Sequence, residues 1–292
     1  MAEQSEDRHI RWEDRFWTSS DGLRLHYRDY AGPSDRPPIL CLHGLTRNAR
    51  DFEDLADRLA GTWRVIVPDF RGRGLSDWDP QPERYNPATY AADVIDVLDR
   101  LRIEKAVFIG TSLGGLVTMA VAAETPGHIA AAVLNDIGPR LEEQGLERIR
   151  GYVGRQQLFS SLEAAADWLA SRDHPIHPAY RDEDWLRMAR RLCCAGEDGI
   201  RFDYDMAVAD NVLRSATAPT ADAWPLFRAL EQVPLLILRG ELSDLLSQGT
   251  AEEMGEVHPD AELAIIPKVG HAPDLSEAAA QRALERLLAR CL

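Results

Sequence analysis

Cationic side chains are scarce relative to their counter-charges in this 292-residue chain: 33 Lys and Arg stand against 48 Asp and Glu, a formal charge of −15. Nucleic acids and anionic membrane surfaces are met by clustered cations, so neither is an expected partner. Cysteine is also sparse. Cys41, Cys193, Cys194 and Cys291 show no ligand spacing, and the adjacent pair is a poor disulfide candidate, which points to a reducing, cytoplasmic setting. His174 and His177 are three apart, but Pro175 and Pro178 break a regular helical pair and no third ligand stands nearby, so no metal site is expected.

Long hydrophobic runs are nearly missing as well. Met1 to Trp17 is charged and has no apolar centre, so no secretory signal is expected. Residues 106–123 carry no charge and approach the length of a membrane span. Gly110, Thr111, Ser112, Gly114 and Gly115 interrupt them, and Val, Phe and Ile give way to Leu, Met and Ala. A buried strand, a sharp turn and a buried helix describe that pattern, and a span does not. There is no internal repeat and no low-complexity tract.

What is present is an alternation. A hairpin is expected from Phe16–Thr18 and Leu23–Tyr30 around Ser20-Asp21-Gly22. Strands over Ile39–Leu42, Arg64–Val67, Ala106–Gly110 and Ala131–Leu134 are separated by helical patterns at 49–60 and 87–102. That order predicts βαβ crossovers and a mostly parallel sheet covered on both faces. The rhythm breaks between 139 and 229, where aromatic and charged residues fall in helical stretches such as 162–171 and 183–193. It resumes with strands at Pro234–Leu238 and Leu263–Ile266 and a final amphipathic helix at 277–290. A core of 1–138 and 230–292, interrupted by a helical insertion at 139–229, is the simplest organisation.

Gly110-Thr111-Ser112-Leu113-Gly114 is a G-x-S-x-G pattern between a predicted strand and a predicted helix. A serine on so sharp a turn needs a strained backbone and neighbours without side chains. The helix that begins there directs free amides and the positive end of its dipole at developing negative charge. Two late strands end in Gly240-Glu241-Leu242-Ser243-Asp244 and in Gly270-His271, so an acid and a histidine follow the serine in chain order. Turns at the carboxyl ends of parallel strands converge. His271 is therefore expected as the base for Ser112, and Asp244 as the acid that holds its tautomer. His43-Gly44-Leu45 follows the third strand; the Leu45 and Leu113 amides would form an oxyanion hole, while His43 is read as a structural hydrogen-bonder.

These parts, with the loop Pro68-Asp69-Phe70-Arg71-Gly72-Arg73-Gly74-Leu75-Ser76, resemble the α/β-hydrolase superfamily of the serine-nucleophile, cap-bearing kind. The resemblance spans residues 40 to 273. It implies an α/β-hydrolase fold with a mostly parallel eight-stranded sheet flanked by helices, a helical cap inserted after the sixth strand, and no metal or organic cofactor. The acid lies four residues after Gly240, where many relatives place it three after the equivalent glycine. Asp136, at the end of the sixth strand, is the reserve candidate because some relatives supply the acid there, and Glu241 is a third. The 68–76 loop usually buttresses neighbouring turns in this family.

Serine at 112 resembles esterases, lactonases and C–C bond hydrolases. Leu45-Thr46-Arg47-Asn48 lacks the Ser-Gly-Pro-Gly run common in meta-cleavage-product hydrolases, which weakens the C–C reading. The expectation is a serine hydrolase of a small carboxylic ester or lactone, neutral or apolar in character. C–C hydrolysis is the alternative within the class, and a non-catalytic ligand receptor on the same fold the alternative outside it. Arg47 and Tyr204 are candidate substrate contacts. Asn48 is read as a helix cap, and Tyr152, Phe159, Trp168 and Trp185 as either pocket or core.

Overall fold

The computed structural model describes residues 12–215 and 222–292; residues 1–11, the larger part of the segment read as lacking a signal, lie outside them. The chain opens on an antiparallel pair, β1 (Trp12–Thr18) and β2 (Arg24–Tyr30), whose turn is closed by Gly22 at φ 94°. Then come β3 (Ile39–Leu42), α1 (Glu53–Leu59), β4 (Val65–Asp69), α2 (Pro87–Arg100), β5 (Ala106–Thr111), α3 (Leu113–Glu124) and β6 (Ile129–Asn135). A long excursion holds α4 (Glu143–Tyr152), β7 (Leu158–Phe159), α5 (Leu162–Asp173), α6 (Asp182–Leu192), β8 (Cys193–Gly196), β9 (Gly199–Phe202), α7 (Ala209–Ser215) and α8 (Trp224–Arg228). The alternation closes with β10 (Leu235–Gly240), α9 (Gln248–Val257), β11 (Ala261–Ile266) and α10 (Ala278–Ala289).

Eight strands form one sheet in the order β1-β2-β4-β3-β5-β6-β10-β11. β1, β2 and β4 pair antiparallel, and every pair from β4 to β11 is parallel. This is the α/β-hydrolase fold. Successive strand residues point to opposite faces, and both faces are buried. Phe108 packs in one apolar cluster with α2 and α3, while Val107 and Ile109 pack in the other with α1 and α10. Two-sided burial explains why these strands read as continuous apolar runs. The charge-free run is β5 followed by α3, and among the described residues no helix is long and apolar enough to cross a membrane.

The order β4-β3-β5 reverses direction between β3 and β5, the topological switch point where open α/β sheets place their ligands. Parallel register lines up the carboxyl ends there: Leu42 pairs with Gly110, Thr111 with Asn135, and Leu238 with Asn135. The excursion departs from the helical insertion expected, because β7, β9 and β8 make a second sheet of three strands. Those strands have two to four residues, too few to establish an alternating pattern. Around them Phe159 and Trp168 each pack edge to face with Phe202, and Trp185 packs on Tyr180.

Candidate active site

Ser112 occupies the junction of β5 and α3 with φ 51° and ψ −115°, outside the ordinary regions for a side-chain-bearing residue. The glycines make this turn feasible. A Cβ on Gly110 would meet the Gly114 backbone, and one on Gly114 would overlap the carbonyl oxygen of Leu42 on the adjoining strand. The Ser112 amide donates to the Asn135 carbonyl at 3.0 Å, which ties the turn to the end of β6.

His271 Nε2 lies 2.9 Å from Ser112 Oγ, and His271 Nδ1 lies 2.8 Å from Asp136 Oδ2. The carboxylate at the histidine is thus Asp136, in place of the expected Asp244. Asp136 follows β6 with φ 56°, a conformation that Asp tolerates better than most residues. Its fully buried carboxylate also accepts from the Gly240 amide at 2.8 Å and from Ser243 Oγ at 2.6 Å. Three donors compensate its desolvation. Because the carboxylate only accepts, Nδ1 of His271 carries the proton, and Nε2 presents its lone pair to the serine hydroxyl.

Asp244 sits one residue too late for this role. Ser243 takes the place facing Asp136, and Asp244 turns to Arg148 of α4, accepting from Nε at 2.5 Å and Nη2 at 2.8 Å. Burial pushes the Asp244 carboxyl up, but Arg148 outweighs it and holds the group below the ordinary carboxylate range. Glu241 accepts the Lys268 amide at 2.8 Å, and the ring nitrogens of His271 are taken by Asp136 and Ser112. Sequence reasoning missed Ser243 and Arg148. The four-residue offset after Gly240 was the available signal for the acid; nothing local marks Arg148.

His43 is fully buried, and burial lowers its pKa to about 4. Its Nδ1 donates to the Gly44 carbonyl at 2.8 Å and its Nε2 accepts from the Phe70 amide at 3.0 Å. The same Gly44 oxygen accepts from the Arg47 amide. In a trans peptide the next N–H points away from the carbonyl, so these two donors set the direction of the Leu45 amide. Arg73 donates from Nε to the Leu45 carbonyl at 2.9 Å, and Arg71 is held by Asp21, Asp79 and Asp93. The 68–76 loop therefore braces its neighbours. Asn48 caps the turn that precedes α1, accepting from the Arg50 amide.

A cavity of about 120 Å³ lies over Ser112 and His271, walled by loops after β3, β5 and β11 and by residues of the excursion. Arg47 and Tyr204 both line it, as does Tyr152. Tyr204 accepts the Gly154 amide on its hydroxyl, at 3.2 Å. Phe159, Trp168 and Trp185 are not among the lining residues. The excursion is pinned at the rim: the Gly270 amide donates to the Ile176 carbonyl at 2.6 Å, Asn48 Nδ2 to the Arg191 carbonyl at 2.9 Å, and the Asp205 amide to the Gly72 carbonyl at 2.8 Å.

Residues 39–284 match the model of a family described as the alpha/beta hydrolase family. The chain is 33% identical over 258 residues to 3-hydroxybutyrate-oligomer hydrolase of Cupriavidus necator, covering 86% of this chain and 87% of that protein. It is 31% identical to 2-(acetamidomethylene)succinate hydrolase of Mesorhizobium japonicum, over 80% and 81% of the two chains. Among solved structures, an alpha/beta hydrolase from Novosphingobium aromaticivorans superposes with a TM-score of 0.91 at 52% identity, covering 96% of this chain and 99% of that one.

Proposed function

The chain belongs to the alpha/beta hydrolase family and is a hydrolase, and from that premise we propose that it cleaves a carboxylic ester through an acyl-enzyme on Ser112. The observation that carries this reading is the hydrogen-bonded series Ser112 Oγ, His271 Nε2, His271 Nδ1, Asp136 Oδ2. Ser112 Oγ attacks the ester carbonyl as His271 Nε2 takes its proton. The tetrahedral oxyanion is held by the Leu45 and Leu113 amides, each worth about 3 kcal/mol to the transition state. Collapse breaks the bond to the alcohol oxygen, which leaves with the proton from His271. Water then attacks the acyl-enzyme, giving a proton to His271, and the acid departs as Ser112 regains its hydrogen.

Asp136 keeps the imidazole in the right tautomer and stabilises the imidazolium, the role expected of Asp244 from the sequence. His43 acts as a positioning residue through the Gly44 carbonyl. The described part of the excursion, from Arg148 to Tyr204 where it lines the cavity, serves as the cap over it. Support for an ester as the scissile group comes from the Cupriavidus relative, since a hydroxy-acid oligomer is joined by ester bonds.

The test is covalent labelling. A fluorophosphonate should modify the native protein at Ser112 and leave Ser112→Ala unlabelled, with hydrolysis of a short-chain p-nitrophenyl ester lost in parallel. Equal labelling of both proteins would remove Ser112 from the mechanism.

A further inference from the structure

The cavity over Ser112 measures about 120 Å³, about ten times the ~10–15 Å³ that admits one water, so it suits a small ester. Its wall is unusual for a chain with a charge of −15: five arginines reach it against four aspartates. Three of the five are committed elsewhere. Arg148 is doubly bonded to Asp244 and Arg172 to Asp173. Arg187 is held by Asp184.

Arg191 differs from these in its bonding, and Arg47, itself paired once, differs in its place. Arg47 gives Nε to Asp51 at 2.6 Å. Its Cγ lies 3.2 Å from where a Cβ on Gly44 would stand, and that point is 3.8 Å from Ser112 Cβ, so the Arg47 stem packs on the Gly44 turn that adjoins Ser112. Arg191 has a side chain only 8% exposed, and its Nε meets no hydrogen-bond acceptor among the described residues. Its Nη2 is 2.6 Å from Asp54, an ion pair without hydrogen-bond alignment, and Asp54 is 53% exposed and not part of the cavity wall. Asn48, next to Arg47, binds the Arg191 carbonyl, which keeps the two arginines on one side of the cavity. His177 Nδ1, also in the wall, has no partner among the described residues.

A buried guanidinium whose N–H groups lack acceptors is costly, and its planar fork matches a carboxylate. We propose that the substrate is a small ester bearing a second, free carboxylate, which Arg47 and Arg191 bind beside Ser112. This rests on the esterase reading and narrows it. It also replaces the neutral or apolar substrate expected from net charge, because net charge sums the whole surface and the cavity presents its own. Of the four wall aspartates, Asp51, Asp173 and Asp184 are bonded to arginines; Asp274 accepts from the Tyr180 hydroxyl, keeps its negative charge, and feels the positive charge of Arg191.

The experiment compares 3-butyryloxybutyrate with its carboxamide, which keeps the scissile ester and the size but removes the charge. The native enzyme should prefer the acid in kcat/KM by about 10- to 100-fold, the worth of a charge-assisted hydrogen bond, with the difference mainly in KM. In Arg47→Gln and Arg191→Gln that preference should fall toward one; Arg191→Met, also uncharged, serves if the glutamine variant loses its circular-dichroism signature. Equal rates for acid and amide in the native enzyme, or a preference that survives in both variants, would overturn the proposal. If neither compound is turned over, calorimetric binding to Ser112→Ala makes the same comparison, and binding of the acid no tighter than the amide also overturns it. Loss of fluorophosphonate labelling at Ser112 would instead sink the esterase reading, so the two failures are separable.

Discussion

Asp136 and Asp244 are both aspartates just past a parallel strand, yet their surroundings give them different work. Asp136 is fully buried with three donors, one of them His271; Asp244 is paired with an arginine on α4. Asp136→Asn should lower kcat by about 10³- to 10⁴-fold, as loss of a tautomer-setting acid does. Asp244→Asn should cost less than about tenfold, because only the anchoring of α4 is weakened. Steady-state kinetics on both variants checks this, and the reverse ranking would return the acid to Asp244. That Ser112 and His271 meet was legible because their signals are local: glycines at fixed offsets around a serine, and a histidine after the last strand. The acid was not, because strands β6 and β10 both end in acidic turns. Which turn faces the imidazole depends on Ser243 and Arg148, residues 107 and 96 positions away from their partners in the chain.

At the scale of elements, the turn from β5 to α3 is the most constrained feature. Gly114→Ala would drive a methyl into the Leu42 carbonyl, an overpacking expected to cost about 1–3 kcal/mol or more. Gly127→Ala, with nothing within 4 Å of the added carbon, should stay within about 0.5 kcal/mol of the native protein. Urea unfolding of the pair measures the contrast, and similar losses in both would contradict the close approach of β3 to α3. Most elements were legible from periodicity. The pattern at 87–102 forms α2 at Pro87–Arg100, helped by Asn86, which caps it by accepting from the Thr89 amide ahead of Pro87 at the first turn. The strands β7, β8 and β9 were not, since each is too short to carry a period and is held by pairing with the others.

For the whole molecule, acid sensitivity follows from buried titratable groups. His43 and His177 are pushed by burial to about 4, below the ordinary 6.5. The unfolded chain takes up those protons first, so their contribution is complete above about pH 6.5 and is lost as pH falls toward 4, on the order of 3 kcal/mol each. Glu277 runs the other way. Burial, with Asp274 beside it, raises it to about 7, so acidification through 7 toward 4.5 favours the folded state and offsets about one histidine. Asp21, held at about 2 by Arg71 despite its burial, acts only at lower pH. The unfolding free energy should therefore decline between pH 6.5 and 4, and more steeply in Glu277→Gln. A flat native profile with an equally flat variant would refute the assignment.

The layered α/β architecture and the turn at Ser112 are written in the chain as spacing over a few residues: alternate burial, helical period, obligatory glycine. Three outcomes exist only in the folded chain: which acid meets His271, which aromatic residues face the cavity, and that arginines line the cavity over Ser112 in an acidic chain. Those outcomes depend on side chains from five or more loops meeting at one edge of the sheet, and contacts between distant loops leave no periodic trace along the chain.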